Sequence, residues 1–261
     1  MPETIAVTWE GPVATVLLDR PRGRNAFDLD MADLLARQLT TVAAADRARA
    51  VVLAGAGGAF CAGGDLKWAA GHPDGPPAAF RELAGRFHQA ILEVRRMPKP
   101  VIAAVEGVAA GGGFSLALAC DFRVMSRSAV LRQAYTASGL GIDGGGTWTL
   151  PRLLGLARAL EVAAFDRPIS SEQALAWGLV TSVADHGGAL EAAVAMGRGL
   201  ATRSLHAFAL CKRLLSDSFE TGLETQLDRE RDGIAASAAH PDGQEGVQAF
   251  LAKRTPSYLR P

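Results

Sequence analysis

The chain has 261 residues, enough for one or two domains and one substantial core. Its 27 Lys and Arg balance 27 Asp and Glu, which removes the basic footprint of a general nucleic-acid binder and any electrostatic pull toward an anionic membrane. Hydrophobic residues make up 49% and charged ones 21%, so global disorder is excluded. Cys61, Cys120 and Cys211 have no C-x-x-C spacing, which argues against a disulfide scaffold or zinc ribbon and favours a reducing cytoplasm.

The first residues, Met-Pro-Glu-Thr-Ile, have no basic stretch leading into an apolar run, so no secretory signal is expected. Ile5–Trp9 and Val13–Leu18 are β-branched runs around Glu10-Gly11-Pro12 and predict a hairpin. Met31, Leu34, Leu35, Leu39 and Val42 recur at helical spacing behind Asp28, a candidate N-cap. Ala50–Ala54 reads as a short strand running into Gly55-Ala56-Gly57-Gly58. The Gly- and Pro-rich stretch after Trp68 (Gly71, Pro73, Gly75, Pro76, Pro77) predicts a mobile loop. Phe80–Arg96 reads as a helix with Leu83, Phe87, Ile91 and Val94 on one side, stopping before Pro98. Val101–Ala119 is the most apolar stretch, but it carries Glu106, Gly107 and Gly111-Gly112-Gly113. A buried strand and a glycine loop are expected there rather than a membrane helix. Gly111–Gly113 opens a helix, Phe122–Met125 forms a strand, and Gly139–Gly146 precedes a helix over Thr147–Leu154. Downstream the pattern turns helical, with capping boxes at Ser170-x-x-Gln173 and Asp242-x-x-Glu245 and a C-terminal Gly178 after Trp177. Strands alternate with helices to about residue 190 and helices follow, so the fold class is α/β with a helical C-terminal extension.

The glycine turns near residues 55, 111 and 143 are the most informative feature. Glycine lets a backbone approach a ligand closely, and the N–H groups at a helix start have no internal partner. Ala62-Gly63-Gly64-Asp65 and Gly111-Gly112-Gly113 can each aim one donor at a shared oxygen, as in an oxyanion hole. The plain alternative is tight strand–helix packing. Other signals are weaker. Gly113-Phe114-Ser115-Leu116-Ala117 misses the last glycine of a nucleophile elbow. Gly55-x-Gly57 lacks the third glycine of a dinucleotide fingerprint. His186, His206 and His240 read as surface residues, and Cys61 as a small packing residue. Trp68 and Tyr135 either line a pocket or fill the core. No metal-ligand motif occurs, and no metal is expected.

Several segments together resemble one family. Phe60-Cys-Ala-Gly-Gly-Asp-Leu-Lys67 is similar to the F-x-A-G-x-D-[IL] segment of the crotonase (enoyl-CoA hydratase/isomerase) superfamily. Lys99–Gly113 with Cys120-Asp121 resembles its K-P-x-I-A-x-x-x-G-x-x-x-G-G-G … C-D block. Arg24-Asn25-Ala26, Gly145-Gly146-Thr147, Ala174–Val180 and Phe250–Arg254 match further landmarks in order. The resemblance implies a spiral of ββα units over residues 1–195 and a helical oligomerisation region over 196–261, assembled as a homo-trimer or homo-hexamer. It implies an acyl-CoA thioester as ligand, with coenzyme A part of the substrate and no separate cofactor. Gly64 and Gly112 take the oxyanion places. Ala62, Asp65, Leu66 and Lys67 line the CoA channel, Arg24 and Ala26 lie near the nucleotide and pantetheine, and Phe250 and Lys253 contact the nucleotide end, Lys253 as a charge partner for phosphate.

One departure bears on the reaction. Hydratases of this family carry two glutamates where this chain has Ser115 and Tyr135, both counted among the substrate-binding residues. Hydration wants two acid/base groups to orient a water and shuttle its protons, and neither residue replaces a carboxylate at neutral pH. Gly141–Arg152 in turn is similar to the P-D-S-G-G-T-W-x-L-P-R segment of the isomerases of phenylacetate catabolism. At that place an aspartate performs the reaction, there and in dienoyl-CoA isomerases and 4-chlorobenzoyl-CoA dehalogenases. Asp143 occupies it. Beside Leu140 and Ile142 its carboxylate is expected to be partly desolvated, which strengthens it as a base; the alternative is that Asp143 shapes the turn. The leading expectation is an isomerase that moves a double bond by a 1,3-proton transfer through a thioester enolate. A hydratase of unusual scope, a non-catalytic acyl-CoA-binding protein and a thioester hydrolase remain as alternatives.

Overall fold

A computed structural model describes residues 4–259. Met1–Glu3, on which much of the signal-peptide reading rests, lie outside the described residues. The expected hairpin forms from β1 (Ile5–Glu10) and β2 (Val13–Leu18), antiparallel in register Ile5 to Leu18. β3 (Ala50–Gly55), β4 (Val101–Val105), β6 (Phe122–Ser126) and β9 (Ser182–Ala184) add in parallel, giving a six-stranded sheet in the order β1-β2-β3-β4-β6-β9. β5 (Val108–Ala110), β7 (Val130–Arg132) and β8 (Ile169–Ser170) make a second, three-stranded sheet. The chain passes from β4 to β5 and from β6 to β7, so it winds between the two sheets as a spiral. The four strands β5, β7, β8 and β9 were not expected. Each has two or three residues, too short for a period-2 pattern, and each exists through pairing with distant chain.

The large sheet is covered on both faces. Val51 and Leu53 point into a core shared with α1 (Leu29–Ala44), α3 (Gly75–Arg96) and α4 (Gly112–Ala119). Ala50, Val52 and Ala54, the alternate residues of the same strand, face α8 (Ala189–Ala201). Alanines and Gly197 let α8 sit close: a Cβ on Gly197 would stand 3.2 Å from Val13 Cγ1. Residues 195 and 196 both lie within α8.

Local signals decide several ends. The Asp28 carboxylate accepts from the Met31 N–H and caps α1. Ser170 and Gln173 form the expected capping box at the start of α7 (Ser171–Ala176). Gly178, at φ +74°, ends α7 in a Schellman motif, with Gly178 N–H to Leu175 O at 3.0 Å and Leu179 N–H to Ala174 O at 2.8 Å. Two expectations are corrected. Gly75, Pro76 and Pro77 are the first turn of α3, where a missing N–H is harmless, so the end of the expected loop is helix, while residues 71–74 stay a turn between it and short α2 (Leu66–Ala70). Asp242 is not a cap: α11 (Pro241–Leu251) begins one residue earlier, and the His240 ring accepts from the Asp242 N–H. α5 (Gly146–Leu154) and α6 (Leu156–Phe165) follow the third glycine turn. α9 (Leu205–Asp217) and α10 (Leu223–Ala239) complete the C-terminal helices. No helix among the described residues is long and apolar enough to cross a membrane.

Candidate active site

The two glycine turns lie side by side. Cys61 pairs with Ala109 as a parallel bridge, with Cys61 N–H to Val108 O at 3.0 Å and Ala110 N–H to Cys61 O at 2.9 Å. That pairing brings Gly63 against the start of α4: a Cβ on Gly63, at φ +97°, would meet Gly112 N at 3.0 Å. On Gly113 it would stand 2.2 Å from Cys61 O, a contact only glycine avoids. Gly112 is the first residue of α4, and its N–H has no acceptor within the helix. Among the described residues the Gly64 N–H has no protein acceptor either. Both residues line a cavity of about 510 Å³.

The cavity wall is mostly apolar, with Phe27, Phe80, Leu83, Phe87 and Leu140. Phe27 and Phe87 meet at 4.9 Å between ring centroids. Its polar side chains are Arg81, Tyr135, Ser138 and Asp143. Asp143 stands on the third glycine turn, ahead of α5, with its carboxylate at the cavity wall. Oδ1 accepts from the Gly144 N–H at 2.6 Å and lies 2.5 Å from His88 Nε2. The Asp143 side chain is 39% exposed, and half-exposed His88 stands against it.

Ser115 and Tyr135 both reach the main chain of Asp143. Ser115 is fully buried, and its Oγ donates to the main-chain carbonyl of Asp143 at 2.5 Å. Tyr135 OH donates to the same carbonyl at 3.2 Å and lies 3.1 Å from Ser115 Oγ. Burial pushes the Tyr135 phenol pKa up, so the phenol stays a proton donor. The side chains at the two hydratase-glutamate positions therefore grip the peptide that carries Asp143. Gly144 and Gly146 make the grip possible, since a Cβ there would stand 2.9 Å from Ser115 Cβ and 2.8 Å from Ser115 Oγ respectively.

Of the residues singled out in the sequence, Ala62, Gly64, Leu66, Gly112, Tyr135 and Asp143 line the cavity, and Ser115 stands directly behind it. Arg24, Ala26, Asp65 and Lys67 are not among the lining residues. Asp65 caps α2 through the Lys67 and Trp68 N–H groups and pairs with Arg20 at 2.7 Å. Burial raises its carboxyl, but Arg20 and the two amides outweigh that and hold it below the ordinary range. The Arg24 carbonyl accepts from the Ala62 N–H while its side chain is exposed, and Ala26 is buried with its carbonyl held by Arg20. Phe250 and Lys253 are exposed at the end of α11, away from the cavity lining.

Trp68 packs on the core, and Tyr135 lines the cavity. Burial pushes the Cys61 thiol up to about 12, so it is no nucleophile at neutral pH. His206 and His240 correct the surface reading: their half-buried rings stack at 3.9 Å. His88 carried no signal, because a polar residue beside the buried stripe of a helix looks like any solvated position. Among the described residues no group of three or more His, Cys, Asp or Glu side chains is placed to hold a metal.

Residues 8–260 match the family described as enoyl-CoA hydratase/isomerase. The chain is 40% identical over 259 residues to the 1,2-epoxyphenylacetyl-CoA isomerase of Escherichia coli (strain K12), covering 99% of both chains. It is 30% identical to a 4-chlorobenzoyl coenzyme A dehalogenase of Arthrobacter sp, covering 95% of this chain and 91% of that one. Among solved structures, an enoyl-CoA hydratase from Polaromonas sp. JS666 superposes with a TM-score of 0.93 at 40% identity, covering 98% and 99% of the two chains. With the spiral, the paired glycine turns and these matches together, the chain belongs to the enoyl-CoA hydratase/isomerase family.

Proposed function

We propose that the protein is an acyl-CoA isomerase in which Asp143 moves one proton along the acyl chain. The thioester oxygen accepts hydrogen bonds from the Gly64 and Gly112 amides. The Asp143 carboxylate takes a proton from the α carbon of a 3-enoyl-CoA. The electron pair of that C–H bond enters the dienolate, whose charge rests on the oxygen between the amides. The Asp143 carboxylic acid then gives the proton to the γ carbon, which leaves a 2-enoyl-CoA and restores the carboxylate. One base suffices, and no atom enters or leaves. The observation that carries this reading is the Ser115–Tyr135 grip: the places of two water-handling carboxylates are taken by groups that hold the peptide of a single one.

The phenyl-walled cavity suits a short or ring-bearing acyl group, in keeping with the ring named in the Escherichia coli relative. A homo-trimer or dimer of trimers, with exposed Leu223, Ile234 and Phe250 as covered surface, belongs to the same reading. So does a reducing cytoplasm, which fits three free thiols. One observation favours a hydratase instead: Asp143 and His88 are two titratable groups open to water. Mass spectrometry of trans-3-hexenoyl-CoA and crotonyl-CoA incubated in deuterium oxide separates the two. Double-bond migration without the added mass of water supports isomerisation. Hydration of crotonyl-CoA without migration in the other ester contradicts it.

A further inference from the structure

His88 has no part in the chemistry proposed so far, yet it makes the shortest side-chain contact to the proposed base. It projects from α3 one residue past Phe87, a cavity wall, and its Nε2 sits 2.5 Å from Asp143 Oδ1. The carboxylate is held at no other side chain among the described bonds; the Gly144 amide takes the same oxygen. Because the Asp143 peptide is already fixed by Ser115 and Tyr135, the freedom left to the residue is rotation of its carboxyl group. At 39% exposure, that group has open solvent to turn toward.

Resting on the reading of Asp143 as a base, we infer that His88 is its positioning residue: the imidazole pins Oδ1, keeps Oδ2 for the substrate, and tunes the base through its own charge. Asp143 is the one acidic group within ion-pair distance of His88 among the described residues. The other groups near the pair are few. Arg81 lines the cavity from α3, Tyr135 faces the carboxylate from the loop after β7, and α4 presents uncharged Ser115. Arg95, further along α3, is turned to Trp148 and Ser216.

The sign follows from charge. An imidazolium stabilises the carboxylate anion more than the carboxylic acid that proton removal forms, so it weakens the base. An uncharged imidazole leaves the base stronger, so kcat is higher without that charge.

The test compares His88→Ala, His88→Gln and Asp143→Asn on trans-3-hexenoyl-CoA as a function of pH. His88→Ala lowers kcat by about 10–100-fold with KM little changed, the scale of a misplaced reacting group. Added imidazole, entering the exposed space left by the ring, restores part of the loss. His88→Gln keeps a donor of similar reach that carries no charge, so its kcat stays within a few-fold of wild type while its pH profile differs from that of wild type. A His88→Ala enzyme with wild-type kcat and pH profile overturns the inference, and so does failure of both imidazole and glutamine to rescue. If Asp143→Asn is inactive while His88→Ala is normal, the role of His88 alone falls; if Asp143→Asn is fully active, the reading of Asp143 falls with it.

Discussion

Ser115 supports the turn that carries Asp143. Its hydroxyl is consumed by the Asp143 carbonyl, and the neighbouring glycines stand where any Cβ would strike it. Ser115→Ala should therefore cost about 1 kcal/mol of stability, the scale of one hydrogen bond. It should also lower kcat about 10-fold with little change in KM, because Asp143, the proposed base, is less well placed; denaturant melts and steady-state kinetics check both. Ser115→Glu should not create a hydratase. The longer side chain displaces the Gly144–Gly146 turn, and the expected result is loss of the proposed isomerase activity with no hydration of crotonyl-CoA. At this scale the sequence was half legible. The glycine turns stood out by composition, and Gly64, Gly112 and Asp143 were picked out through their resemblance to family motifs. The use of Ser115 and Tyr135 did not, since a hydrogen bond to a main-chain carbonyl 28 residues away leaves no trace in composition.

Elements with local punctuation were readable and those made by distant pairing were not. The hairpin, the Asp28 cap and the Gly178 stop follow from neighbours in sequence. The short strands β5 and β7 need each other, and β5 in turn fixes Cys61 and with it the first glycine turn. This makes Gly113 a point of failure: Gly113→Ala drives a methyl group into the Cys61 carbonyl, and the expected cost is about 3 kcal/mol or more. Chemical denaturation measures it. The α2 cap adds a pH dependence. Asp65 is held below its ordinary value of 3.8, so the stability it gives is present above that pH and fades as pH falls through its depressed folded value. The gap in urea midpoint between wild type and Asp65→Asn should be full at neutral pH and shrink in acid.

For the whole molecule, the C-terminal helices are tied to the spiral by one buried ion pair. Lys212 Nζ on α9 donates to Asp121 Oδ2 at 2.8 Å and to the Val94 carbonyl at 2.9 Å, and Asp121 also accepts from the Val101 N–H. Removing one partner strands the other in the interior. Lys212→Met should cost about 3–5 kcal/mol, read as a lowered denaturation midpoint. On the far side of the same helices Ile234 and Phe250 are 70% and 82% exposed, more apolar surface than a solitary chain needs. Ile234→Glu should shift sedimentation toward smaller species if a homo-oligomer covers that face, while circular dichroism stays unchanged. The spiral and the glycine turns together hold a cavity lined by Asp143, Gly64 and Gly112. The most direct measurement is the rate at which Asp143→Asn migrates the double bond of trans-3-hexenoyl-CoA, with its affinity for the same ester measured in parallel. The account predicts a loss of about 10²–10⁴ in kcat with affinity nearly kept, the usual worth of a placed general base. Migration at the wild-type rate by Asp143→Asn would contradict it.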